Sequence, residues 1–545
     1  MFERFREMVA IAQEVLENPP PGGRKAIMDE IVRRRDAKGF DARTKLFPDY
    51  GLRYSSELLS ASFDPFNLSV RSGPAADLAA EGALIFAGKF DELRQLASSK
   101  IATLGEDEKL EYVLQVTNEF HELRHYHDHF GTIYGFARIH ETIIDAIEFN
   151  RLWDVLRARG HIKLPLVKWA KSPDAPPELL AYLEKRRDYV EWMKLHDGLV
   201  DQDLKLDMNN GEPVDDNTAE SVIAISVRGL ETLIPGAILN YKSERTGSFF
   251  QSAIPMGGAL LMEGTAFVTQ RVVACWLFGR EYADKLKAHQ AVSRGFADET
   301  RWRLYMAGDL YLTKYLRKFY SRYQLALSDL AMMNLVEGKQ ELTETHPGWR
   351  FSKATHAAES KSSIHKNDYG DLKKYSDDIA RRCGWMTVSE VVELAVKRAE
   401  ERLQELDRSP EAPTFWPSVL RAAFNLHLAW MKIRIASPMV LAEPATYVQW
   451  LPRFPPPPVY QGREGLEFRG STPADAVAFR QWFMFEHFQR QLLFSDCLPC
   501  PAMRVHPHKC PGDPLRKWWW SPNDQCSFAP VMELFGVRQV KVHAA

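Results

Sequence analysis

The sequence predicts a mainly α-helical fold, and three observations support that class. Apolar residues recur with the 3.6-residue period of a helix through most of the chain. The 545 residues are 45% hydrophobic and 26% charged, a composition typical of a globular protein that buries a large core. Region 40–72 is less periodic, and we expect short strands there. Helices are predicted at 2–17, 76–97, 106–130, 136–158, 178–195, 216–242, 256–278, 281–290, 297–334, 387–406 and 416–434.

Charge and cysteine content exclude several classes of protein. The formal net charge is −2, so nothing at the level of the whole chain favours binding to nucleic acid or to an anionic membrane. No segment reaches the roughly 18 apolar residues of a membrane span, and the longest apolar run is interrupted by Glu263. The N-terminal residues 1–23 predict an amphipathic helix rather than a secretion signal. Six cysteines in so long a chain indicate a reducing, cytoplasmic setting.

Composition shifts divide the chain into four predicted parts. An N-terminal, mostly helical region covers 1–105, a core that contains the candidate metal site described below covers 106–350, and a helical region covers 351–465. The four prolines of "RFPPPPVYQGREG" at 453–465 predict an extended linker at the end of that third part. The fourth part, 466–545, is predicted to hold a helix that begins after Thr472 and a small module rich in cysteine.

The segment "EFHELRHYHDHFG" at 119–131 contains four histidines, and its helical spacing makes them a candidate metal site. At 100° per residue, His121 and His125 fall on a stripe that begins apolar and therefore faces the core. Two buried imidazoles one turn apart each require a partner, and one metal ion satisfies both. The alternative is a polar core helix whose histidines pair with carboxylates. The stripe consists of Leu110, Leu114, Thr117, His121, His125 and Asp128.

His121-Glu122-Leu123-Arg124-His125 forms an HExxH motif, and this helix resembles the zincin metallopeptidases. The resemblance implies a zinc ion bound by His121 and His125, with Glu122 taking a proton from the attacking water. His127 and His129 flank the stripe and are predicted to be surface or supporting residues rather than ligands. Asp128 and Gly131 occupy the positions of the glycine and the third histidine of metzincins, which disfavours that branch.

Glu263 is the first candidate for the third ligand. It is the only ionisable side chain between Arg245 and Arg271, on a predicted helix face that is otherwise largely apolar. "LMEGTA" also resembles the Glu-Gly-x-Ala segment that supplies the third ligand in gluzincins. Here it lies much farther from the HExxH motif than in the compact members of that group.

Glu141 is the alternative third ligand. Glu141 and Asp145 form an ExxxD pattern similar to that of the thermolysin-like branch, in which the aspartate supports a histidine ligand. If Glu263 is the ligand instead, Asp145 or Glu148 is expected to play such a supporting role. We favour Glu263 because an unpartnered carboxylate on an apolar face is costly.

His346 is the candidate for stabilising negative charge in the transition state. "ETHPGWRF" at 344–351 predicts a turn carrying His346 and Arg350, and it weakly resembles a Thr-His-Pro segment of one gluzincin family. A solvent-facing Pro-Gly turn is the alternative interpretation. Three tyrosines are further candidates for the same role: Tyr305, Tyr311 and Tyr315.

The C-terminal tail predicts a second, structural zinc site. Its first two cysteines form a Cys-x2-Cys turn, and four protein ligands would close the metal's coordination shell. His506 or His508 could replace one cysteine, and free thiols or a redox pair are the alternatives. The basic and aromatic residues at 516–520 suit a protein partner, or packing onto the main body, better than nucleic acid. The cysteines are Cys497, Cys500, Cys510 and Cys526.

Together these features predict a cytoplasmic zinc metallopeptidase that acts on a peptide or protein substrate. There are two competing hypotheses. One is a zinc hydrolase that acts on a non-peptide substrate, and the other is a non-enzymatic scaffold protein whose C-terminal module is stabilised by the predicted structural zinc.

Overall fold

The structure is a computed structural model, and it divides into two units, Met1–Glu57 and Leu58–Ala545. In the first unit the structure describes Glu30, which is helical. All elements named below belong to the second unit. The residues described are 30, 62–64, 69–71, 79–198, 219–227, 230–242, 249–292, 321–333, 342–359, 369–408, 415–462, 465–494, 535–536 and 540–545.

The described part of the second unit is mainly helical, as predicted. A short 3-10 helix, Leu451–Arg453, follows the α-helix Pro444–Trp450. The helices are α1 Ala79–Phe86, α2 Phe90–Thr103, α3 Glu106–Gly131, α4 Ile133–Ala158, α5 Leu166–Trp169, α6 Pro177–Asp197, α7 Gly258–Phe278, α8 Arg280–Val292, α9 Ser321–Met332, α10 Leu342–Thr345, α11 Pro347–Glu359, α12 Tyr369–Arg382, α13 Val388–Arg408, α14 Phe415–Ala436, α15 Pro444–Trp450 and α16 Pro473–Phe494.

The strands of the described residues are β1 Ser62–Asp64, β2 Ser69–Arg71, β3 His161–Leu164, β4 Ala219–Val227, β5 Leu230–Lys242, β6 Phe249–Pro255, β7 Val459–Gly462, β8 Gly465–Phe468 and β9 Lys541–Ala544. They form three small sheets, with orders β1-β2-β7-β8, β3-β9 and β4-β5-β6. The short strands expected in region 40–72 are confirmed by β1 and β2.

The helix predicted at 216–242 is wrong, because this segment forms the antiparallel pair β4 and β5. Val222, Ile223 and Ile225 are β-branched, and a helix restricts the χ1 angle of such side chains more than a strand does. The apolar residues are so frequent here that they match a helical period and a strand equally well. The sheet leads through β6 directly into α7.

The extended linker predicted at 453–465 is instead part of the folded unit. Its strand β7 pairs with β2 in parallel and with β8 in antiparallel register. The hydroxyl of Tyr126, on α3, donates to the carbonyls of Pro455 and Pro456 at 3.1 and 3.0 Å. Prolines favour an extended backbone, and an extended segment can continue into a strand of a sheet as well as form a linker. The four-part division of the chain stays a prediction, although its boundaries at 105, 350 and 465 all fall inside the second unit.

The helix predicted after Thr472 is confirmed as α16. The Thr472 hydroxyl accepts from the backbone N–H of Asp475 at 3.1 Å, and the Asp475 carboxylate accepts from the Thr472 N–H at 3.1 Å. This reciprocal pair satisfies donors that the first turn of a helix otherwise leaves free. The helix packs against α14 and α4, so it belongs to the same core as the HExxH helix.

Helix α3 carries the HExxH motif and packs against α4, α7 and α14. The carbonyls at its C-terminal end have no partner within the helix, and α14 supplies donors to two of them. His427 Nδ1 donates to the Phe130 carbonyl at 2.9 Å, and Arg434 donates to the Gly131 carbonyl at 2.8 Å. Arg434 also pairs with the fully buried Asp329 of α9 at 2.6 Å. The end of α3 is thus fixed by α14, whose Arg434 is itself held by α9.

None of the helices in the described ranges is both long enough and apolar enough to span a membrane.

Candidate metal centre

His121 and His125 face the same side of α3, one helical turn apart. Their Nε2 atoms lie 3.2 Å from each other, and the two rings meet edge to face with centroids 4.8 Å apart. The exposed fractions are 4% for His121 and 3% for His125. The core-facing histidine stripe predicted from the sequence is therefore present in the structure.

Glu263 approaches the histidine pair from α7. Its Oε2 atom lies 3.3 Å from Nε2 of His121 and 3.5 Å from Nε2 of His125. Its exposed fraction is 5%. Among the described residues, one group of at least three His, Cys, Asp or Glu side chains is close enough to share a metal ion. It consists of His121, His125 and Glu263.

The three donor atoms form a triangle small enough to surround one metal ion. The edges measure 3.2, 3.3 and 3.5 Å. Bonds of about 2.0–2.1 Å in a tetrahedral arrangement place ligand atoms about 3.3–3.4 Å apart. Octahedral bonds of the same length would bring them to about 2.8–3.0 Å. Two imidazoles and a carboxylate at this spacing could therefore hold one metal ion.

The two histidines and Glu263 shift each other's pKa values. Burial alone would lower the pKa of His125, but the carboxylates of Glu263, Glu122 and Asp128 raise it to about 9. Burial would also raise the pKa of Glu263, yet His125 and His121 hold it well below its usual range. Metal binding would replace the proton of His125 with a cation, so the carboxylates that favour the proton also favour a metal ion.

Glu122, the predicted general base, follows His121 on α3 and is 5% exposed. The charge of its carboxylate contributes to the raised pKa of His125. Neighbouring positions on a helix differ by about 100°, so Glu122 points in a different direction around α3 from His121.

Glu141, the alternative ligand, is half-buried on α4 and lies outside the three-residue group. Burial raises the pKa of its carboxyl group. Asp145 accepts hydrogen bonds from Tyr182 and Gln489 at 3.2 and 3.0 Å and pairs with Arg186. The predicted supporting role of Asp145 at the histidines is therefore wrong, because its carboxylate joins α4 to α6 and α16 instead.

Glu148, the other proposed supporting residue, pairs with Arg151 and Lys185 at 2.8 and 3.2 Å. Lys185 lies on α6, and both basic side chains are largely exposed. Glu148 thus belongs to the surface between α4 and α6 and does not support the histidine pair.

Arg350 lies on α11 rather than on a turn, and His346 is the single residue between α10 and α11. Pro347 occupies the first position of α11, which its fixed φ favours. The Nε2–H of His346 donates to the Leu195 carbonyl at 2.9 Å, and its Nδ1 accepts from the Gly348 N–H at 3.0 Å. A catalytic role would require these bonds to break, so the assignment of His346 to catalysis stays a prediction that its contacts do not support.

Arg350 donates to the carbonyls of Leu330 and Ala331 at 3.2 and 3.1 Å, at the end of α9. The tyrosines predicted as alternative helpers lie outside the described residues: Tyr305, Tyr311 and Tyr315. The same holds for the four cysteines of the predicted structural zinc site: Cys497, Cys500, Cys510 and Cys526.

His127 and His129 are both buried, so neither is a surface residue. His127 Nδ1 lies 2.8 Å from the Tyr447 hydroxyl, and its ring packs against Trp430 and Phe454. His129 Nδ1 donates to the His125 carbonyl at 2.8 Å. Neither belongs to the metal group, as the sequence predicted.

Polar contacts that were not predicted from the sequence join α3 to α7 beside this group. Thr265 donates to Asp128 Oδ2 at 2.6 Å, and Arg124 donates to Asp128 Oδ1 at 2.9 Å. Asp128 lay on the predicted stripe, and Thr265 follows Glu263 by two positions. Both signals were present, but a sequence does not show which residue of a distant helix an aspartate will meet.

Comparison of the chain with protein-family models, with curated proteins and with solved structures gave no match.

Proposed function

We propose that this protein is a metal-dependent hydrolase, with zinc as the metal ion and peptide bonds as the substrate class. The observation that carries the proposal is the meeting of Glu263 with His121 and His125 at donor-atom separations of 3.2–3.5 Å. The three side chains come from two helices that are far apart in the sequence. A chance HExxH sequence on a solvated helix would not be expected to gather a buried carboxylate in this way.

The three proposed ligands leave one position of a tetrahedral shell for water or substrate. When bound, the metal ion would lower the pKa of a water molecule and polarise a substrate carbonyl. Glu122 is turned by about 100° around α3 from His121, so it can stand beside the ion without binding it. There Glu122 would accept the water's proton and pass it to the leaving amine.

The choice of peptide bonds rests on the resemblance of "HELRH" and "MEGTA" to the gluzincin segments. The proton transfer assigned to Glu122 serves the hydrolysis of an ester or another amide equally well. A non-peptide substrate therefore remains the alternative within the same reaction class, and the test below includes one.

A second candidate function is a structural metal site. The three proposed ligand residues are each at most 5% exposed, and enclosed sites with a complete ligand shell are typical of structural zinc. In that case the metal ion would tie α3 to α7, and Glu122 would have no role in chemistry.

The test replaces Glu122 by Gln in the full chain. Zinc is measured by plasma mass spectrometry, and hydrolysis is followed on casein, a peptide amide and an aryl ester. Glu122→Gln should retain zinc while hydrolysis falls by about 10²–10⁴-fold, the usual contribution of a general base. The zinc lost in a His121→Ala/His125→Ala double variant identifies the ion at this site.

Glu141→Gln is the matched control, because Glu141 is a half-buried helical carboxylate outside the metal group. It should retain both zinc and hydrolysis. Unchanged hydrolysis in Glu122→Gln would refute the role of Glu122. Zinc binding without hydrolysis of any of the three substrates by the unaltered protein would favour the structural site.

A further inference from the structure

A buried polar network crosses the interface of α3 and α7 beside the metal group. Asp128 accepts from Arg124 at 2.9 Å and from Thr265 at 2.6 Å, and Arg124 donates to Thr269 at 3.3 Å. We refer to these four side chains as the helix–helix network. Their exposed fractions lie between 0 and 2%.

Stability alone does not account for this network. Taking a carboxylate and a guanidinium out of water is costly, and apolar side chains of similar volume often hold two helices together equally well. Burial raises the pKa of Asp128, which shows that the environment opposes its charge, although Arg124 and Thr265 counteract that effect. Buried polar contacts of this kind do, however, distinguish one register of two helices from another.

The register of α7 against α3 decides whether the metal group forms. A slip of one residue moves a helical side chain by 1.5 Å along the axis and about 100° around it. Such a slip would turn Glu263 away from the histidines. Thr265 lies two positions after Glu263, and Asp128 lies three positions after His125. The Asp128–Thr265 bond and the metal group therefore form in the same register of the two helices.

We propose that Asp128 and Thr265, with Arg124 orienting Asp128, are positioning residues that set the register at which Glu263 meets the histidine pair. The proposal rests on the proposed metal-binding function. None of its four side chains belongs to the group of His121, His125 and Glu263, so the network would act through the placement of Glu263. Outer groups that orient metal ligands typically contribute about 10–100-fold to metal affinity.

The test measures zinc affinity in the full chain by competition with a chromogenic chelator. Thr265→Val keeps the shape of the side chain but removes the hydroxyl that donates to Asp128. We expect it to lower zinc affinity by about 10–100-fold. Thr265→Ser keeps the hydroxyl and should restore affinity to within about threefold of the unaltered protein.

Thr355→Val is the matched control. Thr355 is also fully buried, but its hydroxyl donates to the Phe351 carbonyl of its own helix, α11. Its replacement should leave zinc affinity unchanged. The unfolding temperature of the metal-free protein is measured for each variant, because a purely structural role would lower this temperature in Thr265→Val without a selective loss of zinc.

Equal zinc affinities for Thr265→Val and the unaltered protein would overturn the positioning role alone. An equal fall in Thr355→Val would do the same, since the loss would then reflect general destabilisation. If the unaltered protein binds no zinc at the histidines, the proposed function fails together with this inference. Should Thr265→Val not fold, Thr265→Ala decides, because it removes the same hydroxyl: a selective fall in zinc affinity supports the role, and unchanged affinity overturns it.

Discussion

Nε2 of His121 lies 3.3 Å from Oε2 of Glu263, and this contact joins the middle of α3 to the first half of α7. The two side chains are 5 and 7% exposed. Neither could carry its charge alone at that depth without a large free-energy cost. Their meeting turns two locally unfavourable side chains into a group suited to a divalent cation.

The first prediction concerns the third ligand. Glu263→Gln should lose the zinc ion that depends on His121 and His125, because a neutral amide is a far weaker zinc ligand than a carboxylate. Glu141→Gln should retain it. Zinc content after dialysis, measured by plasma mass spectrometry, distinguishes the two. Retention by Glu263→Gln together with loss in Glu141→Gln would reverse the assignment.

The second prediction concerns acid stability and the C-terminal end of α3. Burial lowers the pKa of His427 from 6.5 to about 4, although its bond to the Phe130 carbonyl acts in the opposite direction. Since the folded-state pKa is the lower one, the unfolded chain takes up the proton first as the pH falls. The stability from the neutral ring is complete above about pH 6.5 and is lost as the pH falls towards about 4.

For this single group the loss is on the order of 3 kcal/mol. It is measured by urea unfolding at about pH 7 and about pH 4.5. His427→Gln keeps a donor for the Phe130 carbonyl but cannot titrate, so its stability should fall less over the same interval. An identical pH dependence in the two proteins would show that His427 does not contribute.

The third prediction concerns the buried ion pair of Arg434 and Asp329, both 0% exposed. Arg434→Met leaves Asp329 buried without its cation and leaves the Gly131 carbonyl without this donor. The free energy of unfolding should fall by about 3–5 kcal/mol. Replacing both partners, as Arg434→Met with Asp329→Leu, should recover part of that loss.

The control is Arg402→Met, which removes an exposed ion pair with Glu405 on α13. Surface pairs of this kind contribute at most about 1 kcal/mol, so the unfolding curve should hardly move. A similar effect for Arg402→Met and Arg434→Met would mean that burial does not decide the contribution of these pairs.

The sequence predicted the parts of the site that depend on local periodicity. The stripe of α3 placed His121 and His125 towards the core, and the isolation of Glu263 in an apolar helix singled it out. Both inferences follow from the cost of burying a polar group without a partner. The N-terminal cap of α16 was equally local, since Thr472 and Asp475 lie within one turn.

Contacts between distant segments could not be predicted in the same way. The bond of Asp128 to Thr265 and the capping of α3 by His427 and Arg434 depend on how helices far apart in the sequence pack. The partners of Asp145 were also missed, because its carboxylate meets residues on α6 and α16, which lie far from it in the sequence. The strands β4 and β5 were mistaken for a helix for another reason: where apolar residues are very frequent, they show no distinctive period.

The most direct test of the metal site is an anomalous-difference map from crystals of the full chain, collected on both sides of the zinc absorption edge. We predict a zinc peak about 2.0–2.1 Å from Nε2 of His121, Nε2 of His125 and a carboxylate oxygen of Glu263. A map with no peak among these three atoms, or with a zinc ion there that Glu263 does not reach, would contradict the account.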